Sequence, residues 1–188
     1  MAQAKTLSQA ELDQVLDYVS TKKYALRDRA IILTSFLAGL RVAEIASLTM
    51  GDVVNPDGTI KNEIRLSAAQ TKGKHPRTVF VSQRLQTELA NYLTTRHAKG
   101  ADIPFFHTDH RLRFSPNGLC VWFHQLYKNV GISGGSSHSG RKFFITTLAN
   151  KGIGVRILAS LAGHRSIAVT QRYIDVNDEQ KRNAVELI

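Results

Sequence analysis

The chain has 188 residues, enough for one domain with a substantial hydrophobic core. Its 25 Lys and Arg against 15 Asp and Glu give a formal charge of +10, spread through folded-looking sequence and not gathered in a tail, which points to nucleic acid as partner ahead of a membrane surface. The single Cys120 excludes an internal disulfide, no apolar run approaches the roughly 20 residues that cross a bilayer, and the first residues lack the apolar core of a signal peptide, so a soluble cytoplasmic protein is expected.

Near the start, LSQAELDQVLDYV carries a capping box, with Ser8 as N-cap, Glu11 at N3, and Leu7 and Leu12 placed as a staple. Leu12, Val15, Leu16 and Val19 follow at helical spacing, which predicts an amphipathic helix. The stretch RDRAIILTSFLAGLRVAEIASL predicts a buried helix that stops near Gly39, where glycine takes the left-handed conformation of a C-cap, and a short second helix from near Arg41. NPDG marks a turn. TIKNEIRLS and RTVFVS read as strands joined by the polar AAQTKGKHP, giving an antiparallel hairpin or a three-stranded sheet with a basic loop at its tip.

Helices resume with QRLQTELANYL and then SPNGLCVWFHQLYKNV, where Ser115 is the N-cap, Pro116 takes N1, and Leu119, Trp122, Phe123, Leu126 and Val130 form an apolar stripe. Gly131 to Ser137 reads as a flexible link. Three shorter helices are expected at about 139–151, 154–162 and 167–174, and a last one over about 177–187. No repeat, low-complexity tract or linker divides the chain. The fold class is mainly α with one small antiparallel β-sheet, an α+β arrangement in a single domain, 1–188.

Four stretches carry side chains that chemistry can use. HSGR puts His138 and Arg141 three apart, so that on a helix both project from one face near its start, where free amides and the dipole favour an anion. The plain alternative is a solvated, partly capping pair. In GLRVAEIASL, Arg41 follows a glycine stop and Glu44 lies three residues on. Such a pair is commonly a surface ion pair contributing roughly 0.2–0.5 kcal/mol. Beside FLAGL, however, the arginine must snorkel or be held by partners, and fixed by Glu44 it would present a rigid phosphate fork. TKGKHPR places Lys72 or Lys74 at the hairpin tip, with Gly73 allowing close approach of a ligand; basic tips also serve solubility alone. LAGHRSIAVTQRYIDV sets His164 nine residues before Tyr173, whose ring, taken by itself, is most simply a packing residue.

In order and residue type these stretches resemble the tyrosine recombinase, or phage integrase, family over essentially the whole chain, on AGLRVAEIASLTMGDV, TKGKHPRTVFVS and HSGRKFFITTLANKGIGVRILASLAGHRSIAVTQRYIDV. That family's pattern is an Arg in a G-x-R-x-x-E context, a Lys in a β-hairpin turn, H-x-x-R, then G-H and a nucleophilic Tyr nine residues beyond that His. The resemblance implies the family's catalytic-domain fold, with Arg41 and Arg141 as the phosphate-binding pair, Lys72 as the hairpin lysine with Lys74 in reserve, and Glu44 supporting Arg41. It further implies His138 as the H-x-x-R histidine, His164 as the histidine ahead of the tyrosine helix, and Tyr173 as the nucleophile. Two departures stand out. Gly140 and KFF stand where the family usually has Leu before the Arg and His-Thr-Phe after it, and only 40 residues precede Arg41. A catalytic domain without the family's N-terminal helical DNA-binding domain is expected, similar in extent to the short fimbrial-switch invertases.

Those residue types suit the reaction that the resemblance implies. Attack on a phosphodiester gathers negative charge on the non-bridging oxygens, which planar guanidiniums bind bidentately. Free tyrosine, with a pKa near 10, is ionised about once in a thousand molecules at neutral pH, so His138 is expected to take the phenol proton while His164 bonds a phosphate oxygen. Lys72 protonates the departing 5′ oxygen. No cofactor and no metal are called for; a zinc site of His138, His164 and Cys120 lacks compact ligand spacing. The expected activity is site-specific cleavage and rejoining of double-stranded DNA through a 3′-phosphotyrosine. The resemblance implies a homo-oligomer, a tetramer on DNA, associated with the nucleoid, with room for an accessory DNA-binding protein and no membrane. The tail 177–188, with Val185, Leu187 and Ile188, is expected to dock on a neighbouring subunit. Type IB topoisomerase action and a catalytically silent DNA-binding regulator of the same fold are the alternatives.

Overall fold

The computed structural model describes residues 4–97, 100–109, 113–174, 181–182 and 185–186. Helix α1 (Gln9–Ser20) opens with its capping box formed: Ser8 Oγ accepts from the Glu11 amide at 3.1 Å and the Glu11 carboxylate accepts from the Ser8 amide at 2.9 Å. Helix α2 (Ala25–Ala38) is the hub, with Ala30, Ile31, Ile32, Leu33 and Phe36 all at most 1% exposed. From Ala30 to Phe36 every side chain of α2 is buried, which is possible only with neighbours on all sides. Accordingly α2 packs against α1, α5 (Gln83–Leu93) and α7 (Ser139–Asn150). Each large apolar side chain buried there contributes about 1.5–3 kcal/mol of transfer free energy.

Gly39 ends α2 with φ at +62°, and α3 (Val42–Ser47) follows from an extended Arg41, with α4 (Met50–Val53) close behind. Strands β1 (Glu63–Leu66) and β2 (Arg77–Phe80) pair antiparallel, with Ile64 opposite Val79 and Leu66 opposite Arg77. Among the described residues the sheet has two strands, not three, because the first part of TIKNEIRLS contributes only an isolated bridge between Val54 and Ile60. The connection between the strands contains a 3-10 turn, Ala68–Gln70, and is clamped by Thr71, whose Oγ1 donates to the His75 carbonyl at 2.7 Å and accepts from the His75 amide at 3.1 Å.

Helix α6 (Pro116–Val130) starts at Ser115, whose Oγ accepts from the Gly118 amide at 3.0 Å. Its buried stripe is Leu119, Phe123, Leu126 and Tyr127, with Trp122 and Val130 half-buried. The stripe turns toward Tyr127 because the link that follows lies on that ring: a Cβ added at Gly135 would come within 2.7 Å of it. Helices α8 (Val155–Ala162) and α9 (Ile167–Gln171) complete the described elements. Helix α9 is shorter than expected. The amides of Tyr173 and Ile174 donate to the carbonyls of Thr170 and Gln171, at 2.9 and 3.1 Å, so the chain tightens into i→i−3 turns and Tyr173 stands beyond the helix. The helix expected over 177–187 lies outside the described residues except at 181–182 and 185–186. No helix among the described residues is long and apolar enough to cross a membrane.

Gly140 has a packing reason. Where α7 crosses α2, a Cβ at this position would stand 2.4 Å from Ser35 Oγ and 2.7 Å from Phe36 Cδ2. The space that a leucine would fill is already taken by Phe36.

Candidate active site

The α2–α3 junction places the first cation. Arg41 is the N-cap of α3 and Glu44 its N3 residue, so the Glu44 carboxylate reaches back to the Arg41 amide at 2.8 Å, as a capping glutamate does, and also accepts from Arg41 Nη1 at 3.0 Å. Glu44 is 0% exposed, and a buried carboxylate needs more than one donor. Arg77, at the start of β2, supplies the rest: Nη2 donates to Oε2 at 2.7 Å and Nε to Oε1 at 3.3 Å. Burial pushes the Glu44 carboxyl upward, but the hydrogen bonds and charges of Arg77 and Arg41 outweigh it and hold the pKa below the usual value.

Arg141 comes from the first turn of α7 and is 4% exposed. Its guanidinium donates from Nη1 to the Gly39 carbonyl at 2.7 Å and from Nη2 to the Ala162 carbonyl, which joins the end of α2 to the end of α8. Burial and then the neighbouring Arg41 and Arg77 bring its pKa down to about 9, so it stays cationic at neutral pH. His138, the exposed N-cap residue of α7, donates its amide to Ser136 Oγ at 3.2 Å. Partial desolvation, then Arg141, Arg41 and Lys72, hold its imidazole below the ordinary value.

The C-terminal end of α8 positions the remaining groups. Gly163 caps the helix at φ +62°, and the next residue, His164, donates its amide to the Ala159 carbonyl at 2.9 Å. Its Nδ1 lies 2.8 Å from Thr170 Oγ1, and its ring stacks on Tyr173 with centroids 5.9 Å apart and planes at 23°. Burial, then Arg141, Arg41 and Arg77, lower its pKa to about 4, so the imidazole is neutral at physiological pH. Tyr173 is half-buried.

Arg41, Lys72, Arg77 and His164 line one cavity of about 580 Å³, and Arg41, Lys72, Arg113 and His138 line a second of about 780 Å³. Since Arg41 and Lys72 belong to both, the two form a groove with Arg41 in its wall. Lys72 is exposed on the hairpin, whereas Lys74, with φ at +52°, lines neither cavity. Arg141 lies beneath the groove, and Tyr173 stands beside it against His164. Four stretches of chain thus supply three arginines, one lysine, two histidines and one tyrosine in and around this groove, with the Glu44 carboxylate buried between Arg41 and Arg77.

A model of the phage integrase family matches residues 5–180. The chain belongs to that family. Tyrosine recombinase XerA of Pyrococcus furiosus is 31% identical over 97% of this chain and 61% of its own length, and transposase A from transposon Tn554 of Staphylococcus aureus is 26% identical over 96% and 51%. The chain therefore spans about three-fifths of the length of the XerA relatives it matches. A crystal structure of XerA recombinase superposes with a TM-score of 0.77 over 100% of this chain and 64% of that one, at 23% identity. The catalytic domain of bacteriophage HP1 integrase does so with a TM-score of 0.69 over 98% and 95%, at 20% identity. At such identities the likeness is one of fold.

In this phage integrase domain the residue that sequence reading missed is Arg77. Strand alternation contained the signal. Val79 faces the core, so Arg77, two residues earlier, shares that face, and a cation on the inner face of a strand requires an acid. The acid is Glu44.

Proposed function

We propose that this domain cleaves and rejoins DNA at specific sites through a covalent 3′-phosphotyrosine on Tyr173. The observation that carries the reading is the convergence of Arg41, Lys72 and His164 on one groove, with the Tyr173 ring stacked on His164 and the buried Arg141 holding the ends of α2 and α8 beside it. With the scissile phosphate in the groove, Arg41 and Arg141 offset the charge that gathers on its non-bridging oxygens. Tyr173 Oη forms a bond to phosphorus as the bond to the 5′ oxygen breaks. The phenol proton passes to His138, which is neutral before the reaction, and the departing 5′ oxygen takes a proton from Lys72, leaving a free 5′-hydroxyl. Neutral His164 donates a hydrogen bond to phosphate. The ester linkage is retained on tyrosine, so a 5′-hydroxyl from a second strand reverses the steps and completes exchange without a cofactor.

The preference for recombination over supercoil relaxation or silent binding follows the same site. A binding module has no use for a tyrosine beside a phosphate fork, and the family relatives are named as recombinases, integrases and a transposase. A Tn1549 integrase structure with a circular-intermediate DNA supports DNA as the partner. We assign residues 1–188 to one catalytic domain acting as a tetramer on DNA, with the tail 177–188 docking on a neighbour. Removing the last ten residues should abolish multimers on a native gel; unchanged assembly would dismiss the tail. The chemistry is tested with a nicked suicide substrate. Wild type should form a covalent adduct and Tyr173→Phe none; equal adducts from both would move the nucleophile elsewhere.

A further inference from the structure

The catalytic assignments above give Arg77 no role, although its side chain is 10% exposed in the wall of the active-site cavity. Its guanidinium ties β2 to two other elements at once. Besides both oxygens of Glu44 on α3, Nη1 donates to the Leu161 carbonyl at 3.0 Å, at the end of α8. Gly163 forms the notch through which the side chain passes, since a Cβ there would stand 2.6 Å from Arg77 Cδ. The C-terminal carbonyls of α8 are thus shared between two arginines, Leu161 going to Arg77 and Ala162 to Arg141.

Glu44 decides what Arg41 can do. A carboxylate beside a guanidinium favours the bidentate fork, which would turn Arg41 away from any phosphate. Here Arg77 occupies the carboxylate with two donors, and Arg41 is left with a single side-chain bond to it, at 3.0 Å from Nη1. Arg41 is also the more exposed of the two, at 25% against 10% for the side chains. We propose that Arg77 is a positioning residue: by neutralising Glu44 and tying β2 to the end of α8, it leaves the Arg41 fork free for the scissile phosphate and holds the lysine hairpin in register with His164. This inference rests on the phosphotyrosine reading.

The test uses the full chain and the nicked suicide substrate, with DNA affinity and thermal midpoint measured in parallel. Arg77→Lys keeps the charge and loses the fork, so trapping should slow about 100-fold, the order expected when one preorganised phosphate donor is misaligned, while DNA affinity stays within about threefold. A substrate whose scissile phosphate carries methyl in place of one non-bridging oxygen has less charge for Arg41 to meet. On it the Arg77→Lys deficit should shrink, as should that of Arg41→Lys. A deficit of the same size on both substrates would make Arg77 merely structural and overturn the proposal. Arg77→Gln strands the Glu44 charge and can fail to fold, so Glu44→Gln/Arg77→Gln is the second variant. With no carboxylate left to capture Arg41, it should cleave faster than Arg77→Gln or, where that variant is unfolded, faster than Arg41→Lys; slower cleavage than the relevant comparator would also overturn the proposal. Absence of an adduct in wild type would instead sink the phosphotyrosine reading.

Discussion

At the scale of single residues, His164 is where the electrostatics of the site can be measured. Thr170 is fully buried, and its hydroxyl at Nδ1 leaves the other ring nitrogen to serve the groove. The folded pKa of about 4 lies below the ordinary 6.5, so between those values the unfolded chain holds a proton that the folded chain refuses. Stability from this source is complete above pH 6.5 and is lost as pH falls toward 4. Urea unfolding midpoints of the wild type should decline over that window, and those of His164→Gln should decline less. The remaining slope includes His138 and His107, both of which are also held below the ordinary value, chiefly by burial. Identical slopes for the two proteins would mean that the imidazole is solvated and ordinary, with no strong field from Arg141, Arg41 and Arg77.

At the scale of elements, legibility in the sequence followed how local the determining contacts are. The cap of α1, the Gly39 stop and the Ser115 start of α6 depend on neighbours within four residues, and each forms where its side chains place it. The early end of α9 depends on Thr170 turning inward to His164, which periodicity does not display. Arg41 and Arg141 could be named because their spacings recur as motifs, whereas strand alternation marks Arg77 only as an inward cation and does not identify its acid, which lies 33 residues away on another element. Gly140 belongs with these nonlocal cases. Read alone, it is a helix-weakening residue; in the fold, it is the contact point of α2 and α7, facing Ser35 Oγ, which is buried and has no hydrogen-bond partner among the described residues. Gly140→Ala should therefore destabilise the domain by about 1–3 kcal/mol despite the better helix propensity of alanine. Ser35→Ala removes an unpaired buried hydroxyl and should be close to neutral or slightly stabilising. The double variant should recover part of the loss, a coupling that chemical denaturation reads directly. Additive effects would show that the helices separate at this crossing without involving Ser35.

At the scale of the whole molecule, the formal charge of +10 and the groove act in different ways. Contacts from scattered Lys and Arg to phosphates release counterions and are indifferent to sequence, so they set affinity and its salt dependence. Arg113 and Arg165 are exposed and line the two cavities on either side of Arg41, which, under the proposed function, would put them in reach of phosphates flanking the scissile one. Under the proposed function, the field of the molecule would bring DNA to the groove, while the Arg41, Arg77 and Glu44 cluster would act only after the phosphate has arrived. Binding to a DNA duplex should weaken steeply with salt, by about 10³–10⁵ between 50 and 200 mM if six to ten phosphates are held. Arg113→Gln and Arg165→Gln should each reduce the slope of log K against log salt by about one, on specific and unrelated duplexes alike. Their rate of adduct formation at saturating DNA should stay close to that of the wild type, in contrast to Arg77→Lys. A slope unchanged by either substitution would place the flanking DNA on another face, and the groove would then hold the scissile phosphate without its neighbours.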